Sequence, residues 1–345
     1  MDLQRSYRED LSLFKKPSSL GAFFVLIVGL IVFPFLTLYM AGGAYYINIL
    51  NLIAINAMVA VGLNILVGYT GQISLGHAGF FAIGAYAQAM LVTQVNLPLP
   101  LALVLAGLLA GLFGLLLGLP ALRLEGPYLA IASLGFGLAV TQIIGRLDFL
   151  GGRMGITVPG PGFEPWLREL IGDNVSAEKA VDAPHYAIYL IVMPLCVVMT
   201  IFAVNLMKSK IGRAFVAIRD SEIAAETIGI NLTRYKTLAF AVSAFYTGLA
   251  GALYAHAMGF INPESFDLRL SITFLAMVVV GGLGSVMGAH LGAILMTMLP
   301  IALTAVRNVP EIIYGAIMIL VILFEPLGLR GRWLKLKFYW KTWPF

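Results

Sequence analysis

Charged residues are scarce in this chain of 345 residues: Asp, Glu, Lys and Arg make up 11% of it. Hydrophobic residues reach 60% and the mean hydropathy is +0.93, which excludes an ordinary soluble domain, where about a quarter of the residues are charged. A single cysteine, Cys196, excludes an intrachain disulfide and a cysteine metal cluster. The histidines have no close ligand spacing, so no metal site is expected at His77, His185, His256 or His290.

Long apolar runs fill most of the chain instead. Lipid satisfies no backbone hydrogen bonds, so apolar runs of about 20 residues predict transmembrane helices. The sequence therefore predicts an all-α polytopic membrane protein that forms one transmembrane domain. Its ten predicted spans are residues 20–40, 44–67, 73–94, 99–119, 128–146, 185–206, 237–258, 270–285, 286–306 and 310–326.

The basic residues support this arrangement. With ten spans and cytoplasmic N- and C-termini, 16 of the 22 Lys and Arg residues fall on the cytoplasmic side, as the positive-inside rule requires. This topology explains the net charge of +5 without nucleic-acid binding. It gives a cytoplasmic N-terminal tail (1–19), a periplasmic loop (147–184), a cytoplasmic loop (207–236) and a basic cytoplasmic C-terminal tail (327–345).

The chain has no Gly-Lys dipeptide, and with it lacks the phosphate-binding loop of P-loop ATPases. It is therefore not expected to hydrolyse ATP. The predicted spans also lack Asp, Glu, Lys and Arg at mid-depth, where ion-coupled secondary transporters usually place relay groups. Such a transporter is nevertheless the alternative function, whereas a membrane enzyme is disfavoured because no acid, base or nucleophile constellation is present.

The 207–236 loop predicts an amphipathic helix or helix pair that ends at Gly229 as a C-cap candidate. Such a helix lies either on the lipid surface or in a groove of a partner protein. Small and apolar residues recur there at helical spacing between charged residues: Ala214, Ala217, Ile218, Ala224, Ala225 and Ile228.

Glycines and polar residues cluster in and around the third predicted span. At membrane depth, glycines allow close helix contact or a broken segment that lines a cavity. Glycines of 281–292 repeat the pattern, as in the paired repeats that transporters place around a site. Tight packing is the alternative explanation, and Asn56, Asn64 and Gln142 add further amides that either explanation fits. The candidate translocation path comprises Asn48, Asn51, Gly71, Gln72, Ser74, His77, Gly79, Gly284 and Gly288.

Four stretches together resemble the LivM/LivH permeases, the membrane subunits of ABC importers for branched-chain amino acids. The second of them and the long outer loop favour the LivM branch. In family order, they are GYTGQISLGHAGFFAIGAY (68–86), LRLEGPYLAIASLGFG (122–137), GRAFVAIRDSEIAAETIGINLTRYKTLAFAVSAFYTGLAGALYAH (212–256) and INPESFDLRLSITFLAMVVVGGLGSVMGAHLGA (261–293).

The resemblance implies an ABC importer permease fold of ten helices in the bacterial inner membrane, with no catalytic residue or cofactor on this chain. It implies two partner ATPase subunits that bind ATP and Mg²⁺, a second, LivH-like permease subunit in a heterodimer, and a periplasmic substrate-binding protein. Transport would proceed by alternating access. The implied substrates are branched-chain or related small amino acids, with urea, short amides or another small solute as the alternative.

The resemblance also implies that the 207–236 loop supplies a coupling helix to the ATPase. Its E-A-A…G signature is one residue longer than the broad ABC-importer pattern between Glu222 and Gly229, but agrees with the LivM style. The charged residues would make charge-assisted contacts at the rim of the ATPase cleft, and the small residues would allow close seating. The implied coupling residues are Arg213, Arg219, Glu222, Ala224, Ala225 and Gly229.

Overall fold

The computed structural model describes residues 42–121, 124, 126–162, 183–302 and 328–332, together with scattered positions within 21–37 and 315–323. The described residues are mostly helical. Two helices, Leu268–Gly281 and Val286–Ala302, are apolar but shorter than a membrane span usually requires. Five are long and apolar enough to cross a membrane, so the chain is a helical polytopic membrane protein: Gly43–Thr70, Leu99–Pro120, Pro127–Ile144, Pro184–Lys208 and Leu232–Met258.

The described elements follow one another in a simple order. The helices are α1 (Gly43–Thr70), α2 (His77–Thr93), α3 (Leu99–Ala121), α4 (Pro127–Ile144), α5 (Ala183–Lys208), α6 (Lys210–Asp220), α7 (Glu222–Thr227), α8 (Leu232–Met258), α9 (Leu268–Gly281) and α10 (Val286–Ala302). Short 3-10 turns occupy Asp148–Leu150, Gly152–Met154 and Pro263–Phe266. Strands β1 (Ile156–Thr157) and β2 (Phe260–Ile261) pair antiparallel.

The central element of the described core is α8, which packs against α1, α2 and α3. Its Phe240 and Tyr246 are fully buried, and the Tyr246 hydroxyl donates to the carbonyl of Met199 in α5 at 2.8 Å. Gly248 of α8 lies against Gly84 of α2, where a Cβ on Gly84 would overlap the Gly248 carbonyl. Small residues thus let these helices approach backbone to backbone, which is how membrane helices pack without a hydrophobic driving force between them.

The prediction of a span beginning at residue 73 is wrong at its start. Residues 71–76 are not helical, and α2 begins only at His77. Gly71 has φ +74° and ends α1, and non-helical backbone follows it. Both arrangements that the glycines allow are therefore observed: a broken segment after Gly71, and close helix contact at Gly84.

The helices on either side of the predicted 207–236 loop extend into it. α5 continues to Lys208, and α8 begins at Leu232 rather than at residue 237. The early start of α8 has a local cause, since the Asn231 Oδ1 accepts a hydrogen bond from the Arg234 N–H at 2.9 Å and so caps the helix.

Several predicted segments lie outside the described residues. They are the N-terminal tail 1–19, residues 163–182 of the 147–184 loop, and 333–345 of the C-terminal tail. The spans at 20–40 and 310–326 are described only at scattered positions. The described start of the 147–184 loop is ordered, because β1 pairs with β2 at the end of α8.

Candidate coupling site and translocation path

α6 and α7 form a helix pair in the 207–236 loop, as the sequence predicts. α6 buries Ala214, Phe215 and Ile218 at helical spacing and packs against α1, α5 and α8. Phe215 meets Tyr235 of α8 edge to face, with ring centroids 6.3 Å apart. The apolar face of α6 is therefore seated on the membrane helices.

α7 ends in a Schellman motif. The Gly229 N–H donates to the Glu226 carbonyl at 2.9 Å, and the Ile230 N–H donates to the Ala225 carbonyl at 3.0 Å. Gly229 has φ +85°, a conformation that L side chains rarely adopt. The glycine thus fixes the place where the chain turns from α7 towards α8, in agreement with the C-cap hypothesis.

α7 and its C-cap residue, Ile228, present two large apolar side chains outward. Ile223 is 79% exposed and Ile228 is 73% exposed. Ala224, Gly229 and Arg213 are also exposed. Exposed isoleucines beside small residues are typical of a surface that a partner covers. With Arg219, which is exposed as well, four of the six predicted coupling residues are therefore accessible from outside the chain.

Arg219 turns towards the membrane helices. Its Nη1 donates to the Gly68 carbonyl at 3.1 Å, while its Nε and Nη2 donate to Asp220 Oδ1 at 3.0 and 2.8 Å. Gly68 lies in the last turn of α1, where carbonyls have no helical partner, so the guanidinium caps this end of α1. A Cβ on Gly71 would lie 3.3 Å from Arg219 Cγ, and the glycine leaves room for the arginine.

Asn64 joins the same end of α1 to the turn between α9 and α10. Its Nδ2 donates to the Ser285 carbonyl at 2.8 Å, and its Oδ1 accepts from the Gly284 N–H at 2.9 Å. Gly284 has φ +70°, and a Cβ there would lie 3.1 Å from Arg219 Nη1. Arg219, Asn64 and the 282–285 turn thus form one cluster around the C-terminal end of α1.

Glu222 pairs with Lys236 of α8, with 2.5 Å between Oε2 and Nζ. The lysine side chain is 7% exposed and the glutamate side chain 41%. Glu222, one of the three charged residues among the predicted coupling residues, therefore has a partner within the chain, as Arg219 does. A cavity of about 300 Å³ lies beside this ion pair, and its lining includes Gly71, Gln72, Leu129 and Ser221.

The non-helical segment 71–76 is held by serines from other helices. Ser133 Oγ of α4 accepts from the Leu75 N–H at 2.9 Å, and Ser271 Oγ of α9 accepts from the Ala78 N–H at 3.0 Å. Irregular backbone at membrane depth is tolerated where protein groups satisfy it. These two hydroxyls accept the hydrogen bonds of backbone N–H groups at the start of α2.

His77 links the same segment to α8. It is fully buried, with Nδ1 3.1 Å from Ser74 Oγ and Nε2 2.8 Å from Ser243 Oγ. Both ring nitrogens therefore have hydroxyl partners, and Ser243 belongs to the central helix α8. A displacement of α8 would therefore act directly on His77 at the start of α2.

Gly79 and Gly288 lie at close helix contacts. A Cβ on Gly79 would be 2.8 Å from Gly137 Cα of α4, and one on Gly288 would be 2.7 Å from the Gly281 carbonyl of α9. Neither position has room for a side chain. The contacts described at these two glycines are those of packing, and their place in a translocation path stays a prediction.

Asn48 and Asn51 lie far from Gly71 and Gln72 along α1. Asn51 Nδ2 donates to the His185 carbonyl at 3.1 Å, near the N-terminal end of α1. About 20 residues of helix, or roughly 30 Å, separate Asn51 from Gly71. The structure brings Gly71 and Gln72 together at one cavity and places the two asparagines towards the opposite end of α1.

Sequence reasoning did not assign roles to the residues whose partners are distant along the chain. The sequence shows that a polar side chain lies inside a predicted span, but it does not show which residue that side chain contacts. The residues missed in this way are Ser133, Ser243 and Ser271. Lys236 was missed within the predicted 207–236 loop, whereas Asn64 was named among the amides of the second span, where it makes interhelical bonds.

The chain matches the family model for the permease component of branched-chain amino acid transport systems over residues 45–323. It belongs to this permease family. The matched range contains every helix from α2 to α10 and nearly all of α1, so it includes the α6–α7 pair, the 71–76 segment and the cavity between them. No solved structure matches the chain.

Three relatives of this permease differ in their sequence identity to it. The high-affinity branched-chain amino acid transport permease LivM of Salmonella typhimurium is 37% identical over 294 residues, covering 82% of this chain and 69% of the relative. LivH of the same organism is 24% identical over 290 residues, covering 80% and 91%. The ribose import permease RbsC of Haemophilus influenzae is 26% identical over 289 residues, covering 80% and 82%. The permease is thus of the LivM type.

Proposed function

We propose that this permease is the LivM-type membrane subunit of an ATP-driven importer that carries branched-chain or related small amino acids across the bacterial inner membrane. LivM and LivH are named for branched-chain amino acid transport, and LivM is the more similar of the two. The observation that carries the proposal is the α6–α7 pair, which is seated on α1 and α8 while exposing Ile223 and Ile228. A partner that binds α7 is positioned to act on the membrane helices.

The proposed topology has ten transmembrane helices with both termini in the cytoplasm. It is supported by the excess of Lys and Arg in the connections that this topology makes cytoplasmic. In that orientation the 207–236 loop and the nearby cavity face the cytoplasm, and the β1–β2 pair faces the periplasm. The single transmembrane domain extends over residues 1–345 with the loops and tails given above.

The proposed partners are two ATPase subunits, a LivH-like second permease and a periplasmic substrate-binding protein. The ATPases would bind ATP and Mg²⁺, because this chain has no phosphate-binding loop. Ile223, Ala224, Ile228 and Gly229 would lie against an ATPase subunit. A heterodimer is favoured because the LivH relatives form a distinct group of lower identity.

The proposed mechanism is alternating access that the ATPases drive through α7. Such coupling requires contacts that differ between the inward-open and outward-open states. Two contacts are placed for this: Arg219 with the Gly68 carbonyl at the end of α1, and Glu222 with Lys236 at the start of α8. Between them runs the 71–76 segment, so a shift of α7 would displace the candidate path at Gly71, Gln72, Ser74 and His77.

The transported solute is inferred from the chemistry of the helices and from the relatives. Apolar helices with a few neutral hydrogen-bonding groups suit small zwitterions that have apolar side chains. RbsC, which is named for ribose import, is about as similar to this chain as LivH is. Related permeases therefore serve chemically different solutes. The binding protein would therefore make most of the selection among leucine, isoleucine, valine and other small solutes.

Reconstitution tests this function. The permease is purified with its co-expressed partner subunits, placed in proteoliposomes, and supplied with binding protein, labelled leucine and ATP on the appropriate sides. The proposal expects uptake that needs both ATP and the binding protein. Uptake under a proton or sodium gradient alone, with neither ATP nor binding protein, would contradict it in favour of a secondary transporter.

A further inference from the structure

The cavity beside α7 combines charge with apolar walls. Its volume of about 300 Å³ lies at the lower end of the range for pockets that hold small molecules. Ile73, Leu129 and Ile223 contribute apolar surface, while Glu222 and Lys236 contribute opposite charges. The five residues come from the 71–76 segment, α4, α7 and α8, so four separate parts of the chain meet there.

Lys236 is an unusual wall residue because its charge is buried. Its side chain is 7% exposed, and within the described part of the chain Glu222 is its one hydrogen-bond partner. An ammonium group carries three N–H donors, so two remain for a ligand. A buried cation with spare donors favours an anionic ligand group, because a buried charge is costly unless it is fully paired.

Glu222 supplies the complementary group. Its side chain is 41% exposed, and its carboxylate accepts one bond from Lys236, which leaves acceptor positions for a cation. A ligand with a carboxylate next to an ammonium could extend the ion pair into a ring of four alternating charges. The apolar lining from Leu129 and Ile73 would then surround an aliphatic side chain.

We propose that this cavity is an exit subsite that binds the zwitterionic head and the side chain of an apolar α-amino acid on the cytoplasmic side of the permease. The ligand carboxylate accepts hydrogen bonds from Lys236 Nζ, and the ligand ammonium donates to the Glu222 carboxylate. This inference rests on the proposed function for its orientation and its ligand class. Because Glu222 begins α7, an occupied subsite would bias the position of the coupling helix.

Equilibrium binding to the whole importer tests the subsite. The complex, purified in nanodiscs without binding protein, is titrated with L-leucine, with isoamylamine, which lacks the carboxylate, and with 4-methylpentanoate, which lacks the ammonium. The proposal expects leucine to bind at least about tenfold more tightly than either analogue, because each analogue loses one charge-assisted contact.

Lys236→Met supplies a change of selectivity that mere unfolding would not produce. It should weaken leucine binding at least about tenfold while isoamylamine binding is kept or strengthened, since Glu222 is then free to hold an amine. Lys210→Met removes an exposed charge of α6 and should leave all three affinities unchanged. If Lys236→Met does not assemble, Leu129→Trp is used instead. The larger side chain reduces the apolar part of the cavity, so it should weaken the binding of L-leucine more than the binding of L-alanine.

Two results would overturn the subsite: no leucine binding up to about 10 mM, or leucine binding that Lys236→Met and Leu129→Trp both leave unchanged. ATP-driven uptake into proteoliposomes is measured on the same preparation. Normal uptake without this binding rejects the subsite and leaves the proposed function standing. Absence of any ATP-dependent amino acid uptake rejects the proposed function itself.

Discussion

At the residue scale, Arg219 makes a charge-assisted contact between α6 and α1. Arg219→Gln removes the charge-assisted bond to the Gly68 carbonyl, and Gln cannot reproduce the forked contact with Asp220. Since Arg219 is 39% exposed, we expect little loss of folding stability. The expected result is a severalfold lower leucine uptake per ATP hydrolysed. Arg234→Gln, an exposed position at the start of α8, is the matched control and should keep the normal ratio.

The Glu222–Lys236 pair gives a second prediction at this scale. Glu222→Lys places two ammonium groups side by side, one of them buried, and should lower uptake at least about tenfold while the protein stays in the membrane. Exchanging the charges with Lys236→Glu in the same chain should restore part of the uptake, as a double-mutant cycle reports for a direct contact. Full uptake in Glu222→Lys alone would exclude a role for this pair in coupling.

At the element scale, α7 depends on Gly229 for its end. A Cβ there would meet no atom within 4 Å, so the constraint is the φ of +85° and not space inside the chain. Asn tolerates this conformation better than Ala, at which the left-handed region costs about 1–2 kcal/mol. Uptake should therefore fall in the order Gly229→Asn, Gly229→Ala, Gly229→Trp, the last of which also blocks a partner and should abolish uptake. Equal uptake in all three would show that this turn is not used.

The packing of α2 on α8 gives another prediction. Gly84→Ala would place a methyl group against the Gly248 carbonyl and should destabilise the permease by about 1–3 kcal/mol, because the two backbones must separate. Gly135→Ala on α4 meets no atom within 4 Å and should be neutral or slightly stabilising. Thermal unfolding of both variants in detergent measures the difference. A Gly84→Ala variant as stable as Gly135→Ala would contradict this packing.

The elements that could be predicted from sequence are those fixed by local chemistry. The predicted spans 44–67, 99–119, 128–146 and 185–206 lie within a few residues of α1, α3, α4 and α5, because a membrane span needs a long apolar run wherever it packs. The end of α7 at Gly229 was predictable for the same local reason. The start of α2 was not, since Ser133 and Ser271 reach it from other helices.

At the scale of the whole molecule, the described contacts form a continuous route from α7 to the core. Glu222 and Arg219 connect the α6–α7 pair to α8 and α1, and His77 connects α8 to the 71–76 segment. None of these pairs is close in sequence, so the candidate coupling residues were predictable by type while their partners were not. The cavity beside Lys236 follows from the same long-range packing.

In the proposed function α7 receives an ATPase subunit, and site-specific photocrosslinking tests this contact most directly. A benzophenone amino acid at Ile223 of α7 or at Ile228, which directly follows it, should form an adduct with the ATPase in intact membranes, because both positions are strongly exposed. The same amino acid at Leu108, which is 54% exposed on the membrane helix α3, is the control and should form none. Absence of the adduct at both α7 positions, or an equal adduct from Leu108, would contradict the account.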